Sequence, residues 1–213
     1  MPSGNPPPPP GTALRGRDSE QRMLTDALAG ARAGQGAALL VCGGPGIGKT
    51  ALLNHACEVA RTPHVRHSHP PQEAMVLKGA MVLSSAGAES ESAMPFAGLQ
   101  RLLRPVADRL GELPAPQAAA VEQALESGHV AESDRFPLSI GVLRLLCLLG
   151  HSAPLLVCVD DAHVMDSASL DALAFAARRL GTDPVAMVFA AGDDSPKPAV
   201  PGIPAVTLGP LPD

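Results

Sequence analysis

Eight consecutive residues, Gly43-Gly44-Pro45-Gly46-Ile47-Gly48-Lys49-Thr50, put four glycines ahead of an ammonium and a hydroxyl. The spacing is G-x-x-x-x-G-K-[ST], that of a phosphate-binding loop. Backbone N–H groups can curl around phosphate oxygens only if the chain takes dihedrals and close approaches that glycine tolerates best. Lys49 is expected to reach the outer phosphates and the Thr50 hydroxyl to ligand Mg²⁺. The helix that follows the turn, with Ala51 in its first turn, aims its N-terminal amides at the same anion. The whole of Gly43–Ala51 is therefore the expected contact surface for ATP or ADP.

A magnesium–nucleotide site also needs an acid at the carboxyl end of a neighbouring buried strand. The run "PLLVCVDD" supplies Asp160 and Asp161. Asp160 is the expected partner of Thr50 in the Mg²⁺ shell, and Asp161 the expected base for an attacking water. His163 follows within "DDAHVMD" and is read as a structural loop residue, with sensing of the γ-phosphate as the alternative. His64, His67 and His69 fit no helical metal-ligand pair in a Pro-rich loop and are read as solvated.

The elements that must hold these residues are legible from apolar periodicity. Residues 37–42 and 154–161 are short apolar runs that predict buried strands, as do "PVAMVFAAG", "PAVTL" and, less sharply, residues near 75–84. Helices are expected after Asp18 (with Gln21 as its capping partner), over 49–61, through "PFAGLQRLLRPVADRL" with a break at Pro105, and over "PQAAAVEQALE", "FPLSIGVLRLLCLLG" and "SASLDALAFAARRL". In the last, Leu170, Leu173, Ala177 and Leu180 share a face. Residues 61–73 read as a loop. Strands alternating with helices imply a mostly parallel sheet covered on both faces.

Bulk properties set the bounds. The 213 residues suit one domain, expected over residues 14–213 behind a disordered Pro-rich tail at 1–13. Net charge is −5, with three lysines in the whole chain, so no basic nucleic-acid face is expected. The four cysteines form no C-x-x-C pair and read as small buried thiols of a reducing compartment. No apolar run approaches the roughly 18 residues that span a bilayer, so a soluble, cytoplasmic protein without membrane contact is expected.

With both motifs in place, the sequence resembles the N-terminal ATPase domain of the large ATP-binding LuxR-type transcriptional regulators, within the STAND group of AAA-like P-loop ATPases. "LRGRDSEQ", "GGPGIGKTALL", "GAESESAMPFAGLQRLLRP", "LPAPQAAAVEQAL" and "PLLVCVDDAHVMDSASLDALAFAARRL" carry the likeness, which runs over roughly residues 14–211. The resemblance implies an α/β P-loop NTPase of the AAA/STAND type: a mostly parallel five-stranded sheet, helices on both faces, and an extra strand between the two motif strands. It implies ATP and Mg²⁺ as cofactors. It also implies Gly16 and Arg17 near the adenine, and a protein partner or self-association.

Three departures from the family pattern shape the functional expectation. Gly192, followed by Asp193 and Asp194, stands where the family carries an arginine. Such an arginine is worth about 10³–10⁵ in turnover, or roughly 4–7 kcal/mol of barrier. Val164 replaces an aromatic. The chain stops at "PLPD", before the family's repeat and helix-turn-helix segments, so no nucleic-acid-binding segment is expected in it. The leading expectation is an ATP-binding switch module with slow or impaired hydrolysis. The alternatives are a competent ATPase borrowing an arginine in trans (Arg178 or Arg179), and a truncated remnant that binds no nucleotide. No arginine-rich lid stretch favours a small-molecule kinase.

Overall fold

In chain order the strands are β1 (Ala37–Cys42), β2 (His64–His67), β3 (Ala74–Leu77), β4 (Met81–Ala86), β5 (Leu155–Asp160), β6 (Val185–Ala191) and β7 (Ala205–Thr207). The α-helices are α1 (Asp18–Arg32), α2 (Lys49–Arg61), α3 (Ala97–Leu103), α4 (Ala115–Ser127), α5 (Arg135–Ser152) and α6 (Ser167–Ala177). The computed structural model describes residues 16–67, 74–77, 79–192 and 199–211. The Pro-rich tail, His69, Asp193 and Asp194 lie outside the described residues.

Five strands pair in the order β4-β5-β6-β1-β7, each pair parallel. β6 therefore lies between the strand that feeds the glycine loop and the strand that ends in the two acids, as the resemblance implies. All seven residues of β6 are buried, and so are the first five of β5. Strands covered on both faces by crossover helices need apolar residues at every position, not alternate ones. Side chains alternate between two cores. Val185, Met187, Phe189 and Ala191 face a large core formed with α3, α4, α5 and α6. Ala186, Val188 and Ala190 face a smaller one formed with α1 and α2.

Local signals explain most boundaries. Pro105 lacks an N–H and its ring crowds the carbonyl four residues back, so α3 stops at Leu103 and the chain continues through Arg104–Glu112 as short 3₁₀ turns with a kink at Val106, φ −128°. Gly128, at φ 65°, ends α4. Leu173, Ala177 and Leu180 are buried as expected, while Leu170 is only half-buried. Three expectations need correction. The stretch 61–73 is not all loop, because β2 pairs antiparallel with β3 as a separate two-stranded sheet. The strand expected near 75–84 is two strands, β3 and β4, belonging to different sheets. Asp18 is not the cap of α1 but its first residue, and Arg17 holds the cap position without a side-chain capping bond.

One polar junction ties the helices of the large core together. Asp166, 4% exposed, caps α6 by accepting the Ser169 N–H at 2.8 Å. The same carboxylate accepts the Phe96 N–H at 2.8 Å and the Gly98 N–H at 2.9 Å, at the start of α3. Ser169 Oγ accepts the Leu99 N–H at 2.7 Å, and Ser85 donates its hydroxyl to the Gly98 carbonyl at 3.3 Å. First-turn amides of a helix have no partner within the helix, and here Asp166 and Ser169 provide for those of α3. Phe96 sits at φ 65°, a conformation that disfavours a side chain; the Asp166 bond holds it there. Among the described residues, no helix is long and apolar enough to cross a membrane.

Replacing Asp166 by Ala leaves three buried N–H groups without an acceptor. At roughly 1–3 kcal/mol for each unsatisfied buried donor, partly relieved by water, the domain should lose about 3 kcal/mol or more. Urea unfolding measures this directly, and a loss below about 1 kcal/mol would rule the junction out as a determinant of stability.

Candidate functional site

Register places the two motifs on one edge of the sheet. Leu40 of β1 and Val159 of β5 both pair with Phe189 of β6, so Val41 and Asp160 stand one step further along the same row. Two strand spacings, about 10 Å, separate them. The glycine loop leaves β1 just beyond that row, at the carboxyl edge where open α/β sheets place their ligands.

The loop's shape follows from its glycines. Gly46 and Gly48 take φ values of 72° and 103°, and Gly48 forms the start of α2. A Cβ at Gly44, Gly46 or Gly48 would meet nothing within 4 Å, so this stretch of backbone is bare on its outer side. Gly43 is packed instead, its would-be Cβ only 2.8 Å from Ile47 Cγ2. Lys49 is 9% exposed, and its Nζ donates to the Gly43 carbonyl at 2.6 Å and the Gly44 carbonyl at 3.0 Å. A buried ammonium needs such acceptors. Pro45, Gly46, Thr50 and Ala51 are exposed on the surface around it.

Arg17 supports the loop from behind. At 6% exposure, its Nη2 donates to the Ile47 carbonyl at 3.1 Å and to the Gly209 carbonyl at 2.7 Å. Its Nη1 pairs with Glu20 at 3.3 Å. The Ser19 hydroxyl, with help from Arg17, holds the Glu20 carboxyl below its ordinary range. The guanidinium thus links the start of α1, the phosphate-type loop and the chain after β7.

At the acidic strand end, Asp160 Oδ1 accepts the Asp161 N–H at 2.9 Å, which fixes the Asp160 carboxylate. Asp161 lies in the left-handed region at φ 46°. Gly87 follows β4 beside it and donates its N–H to the Asp160 carbonyl at 2.8 Å. A Cβ on Gly87 would come within 2.2 Å of the Asp161 carbonyl oxygen, so only glycine fits. Both acids are partly exposed.

His163 has a defined partner, which sequence reasoning did not give it. Gly192 donates its N–H to His163 Nδ1 at 3.2 Å, so the neutral ring carries its proton on Nε2. Gly192 and the histidine after the acids therefore meet. Arg178 donates to the Pro201 carbonyl at 3.1 Å, and Arg179 lies 3.7 Å over the Phe175 ring. Both are engaged within their own chain at the end of α6.

One cavity adjoins these groups and a second does not. One of about 100 Å³ lies between α2, β4 and β5, lined by Asn54, Cys57, Arg61, Ser84, Cys158 and Asp160 among others. Another of about 310 Å³ sits among α3, α5 and α6, lined by Phe96, His129, Arg135 and Asp171 among others, and includes none of the loop residues. Concavity alone does not mark the site, because a phosphate loop binds along an open edge. Sequence reasoning missed the helix-capping role of Asp166, although Asp immediately before a helical run is a preferred cap. It also missed the meeting of Cys57 and Cys158, for which no local signal exists.

Solved structures share this fold. Cdc6p of Pyrobaculum aerophilum is similar with a TM-score of 0.52 at 16% identity, over 94% of this chain and 47% of that one. The ORC2 protein of Aeropyrum pernix, solved as ADPNP-ADP complexes, is similar with a TM-score of 0.51 at 17% identity, over 94% of this chain and 49% of that one. The chain spans about half the length of these structures. No curated protein matches the sequence. The family model of the AAA ATPase domain matches residues 13–188, and with the five-stranded parallel sheet and the glycine loop at its carboxyl edge, the chain belongs to that family.

Proposed function

We propose that the domain binds ATP with Mg²⁺ in the Gly43–Thr50 loop and hydrolyses it slowly, acting as a nucleotide switch related to the LuxR-type regulators. The observation that carries this reading is the bare outer backbone of Gly44, Gly46 and Gly48 at the start of α2, on the sheet edge that also holds Asp160. Backbone amides and a helix N-terminus there form an anion cradle. The Thr50 hydroxyl, exposed on the first turn of α2, and the Asp160 carboxylate are hard oxygen donors that suit Mg²⁺. When bound, the ion neutralises charge on the outer phosphates.

The chain's own residues divide the remaining work. Gly43, Gly44, Pro45, Gly46, Ile47, Gly48 and Ala51 shape the cradle. Lys49 exchanges its two carbonyl acceptors for phosphate oxygens, a gain because ionised acceptors make the stronger bonds. Arg17 keeps the loop in register through the Ile47 carbonyl, at the side expected to receive the adenine. Asp161 takes the proton of the attacking water. At the sensing position Gly192 offers only its N–H, bonded to His163 Nδ1, and no side-chain cation to stabilise charge on the transferring phosphoryl. That deficit supports slow turnover.

A single-turnover assay with excess protein, labelled ATP and Mg²⁺ tests the reading. ATP should stay bound for hours with little ADP formed; prompt hydrolysis would refute the slow step, and no bound nucleotide would refute the site. Lys49→Ala removes two charge-assisted contacts of roughly 1–3 kcal/mol each, so ATP affinity measured by equilibrium binding should fall about 30-fold or more. Gly192→Arg should raise the single-turnover rate about tenfold or more, a fraction of what a well-placed arginine contributes. The Asp161→Asn change added to that variant should abolish the gain.

A further inference from the structure

Cys57 of α2 and Cys158 of β5 are separated by 101 residues, yet their sulfurs lie 3.4 Å apart and share an S–H···S hydrogen bond. Neither is in a disulfide. They meet in the small core beneath the sheet edge, Cys57 two helical turns beyond Lys49 and Cys158 two residues before Asp160. Both line the cavity of about 100 Å³ that also carries Asn54, Arg61, Ser84 and Asp160. Cys57 is the more accessible, 7% exposed against 2% for Cys158. The mechanism above uses neither thiol.

We infer that Cys57 and Cys158 form an oxidisable dithiol, a modification site for a small hydroperoxide entering through that cavity. Sulfurs in contact need close only about 1.4 Å to reach the disulfide length of about 2.05 Å. The chemistry balances in two steps. The Cys57 thiolate attacks the terminal peroxide oxygen, the O–O bond breaks, and Cys57 becomes a sulfenic acid while the released hydroxide or alkoxide takes up a proton. The Cys158 sulfur then attacks the Cys57 sulfur, expelling water as the S–S bond forms. Two thiols are oxidised, and the peroxide is reduced to water, or to water and an alcohol. The Arg61 guanidinium at the cavity wall stabilises the anion that leaves. Cys147 has no such setting: burial, with Asp183 beside it, pushes its thiol up to about 12.

The bond would tie the helix that begins with Lys49 and Thr50 to the strand that ends in Asp160. Resting on the nucleotide reading, this link fixes the spacing between the two halves of the Mg·ATP site, and the oxidised protein should bind Mg·ATP about fivefold or more weakly, within the usual range of coupling between sites.

The test treats the reduced full chain with stoichiometric hydrogen peroxide, alkylates remaining thiols and maps peptides by mass. The expected product is a Cys57 peptide joined to a Cys158 peptide, two hydrogens lighter than their sum. It should be reversed by dithiothreitol and absent in Cys57→Ala, while Cys147 remains alkylated. Recovery of both cysteines as separate thiols, sulfinic acids or sulfonic acids overturns the dithiol. Mg·ATP titration of both forms then separates the two claims. Equal affinity in the two forms overturns the coupling. A reduced protein that binds no Mg·ATP removes the nucleotide reading and the coupling with it, while the joined peptide still decides for the dithiol.

Discussion

The backbone pairing of β6 with both β1 and β5 sets everything else in this domain. A strand between the two motif strands spaces the glycine loop from the acids by a width that hydrogen-bond geometry, not side chains, determines. Because β6 is buried throughout, it can be neither slipped nor frayed without exposing apolar surface. Small residues help: Ala186 and Ala190 let α1 and α2 come close on one face, while Met187 and Phe189 fill the thicker core on the other. The chemistry thus rests on a ruler made of peptide groups.

Buried polar side chains are few, and each holds one of two places together. Among the described residues they are Arg17, Lys49, Ser85, Asp166 and Ser169. The first two grip carbonyls of the glycine loop and the chain beside it. The other three supply acceptors and donors to the first turn of α3. Where the sheet ends, the backbone must turn without regular pairing, and these side chains replace the bonds that the sheet no longer provides. Asp166 comes only five residues after Asp161, so the turn that carries the acids is anchored at both ends, by β5 and by α3.

The sheet, its two motif edges and nearly all helices were readable in the sequence because each depends on local periodicity or on a short motif. Residues 37–42 and 49–61 coincide with β1 and α2. What failed was of another kind. β2 and β3 pair with each other rather than joining the main sheet, a matter of long-range partner choice in a polar, Pro-rich stretch. The cap of α1 fell on Arg17 because that residue is held by Ile47 and Gly209, contacts from 30 and 192 residues away. His163 read as an unpartnered loop histidine because its partner, Gly192, offers only a backbone N–H, which no side-chain pattern announces. The same limit applies to the sulfur pair, which two buried apolar segments bring together only once the sheet exists.

The core is built almost wholly of Leu, Val, Ala and Met. Phe189 is one of four phenylalanines in a chain without tryptophan or tyrosine. Such a protein contributes almost nothing to near-ultraviolet absorbance and has no indole fluorescence of its own. Any purine that stays with it through purification would dominate the spectrum, so the bare absorbance curve of the purified domain reads its ligand content without a label.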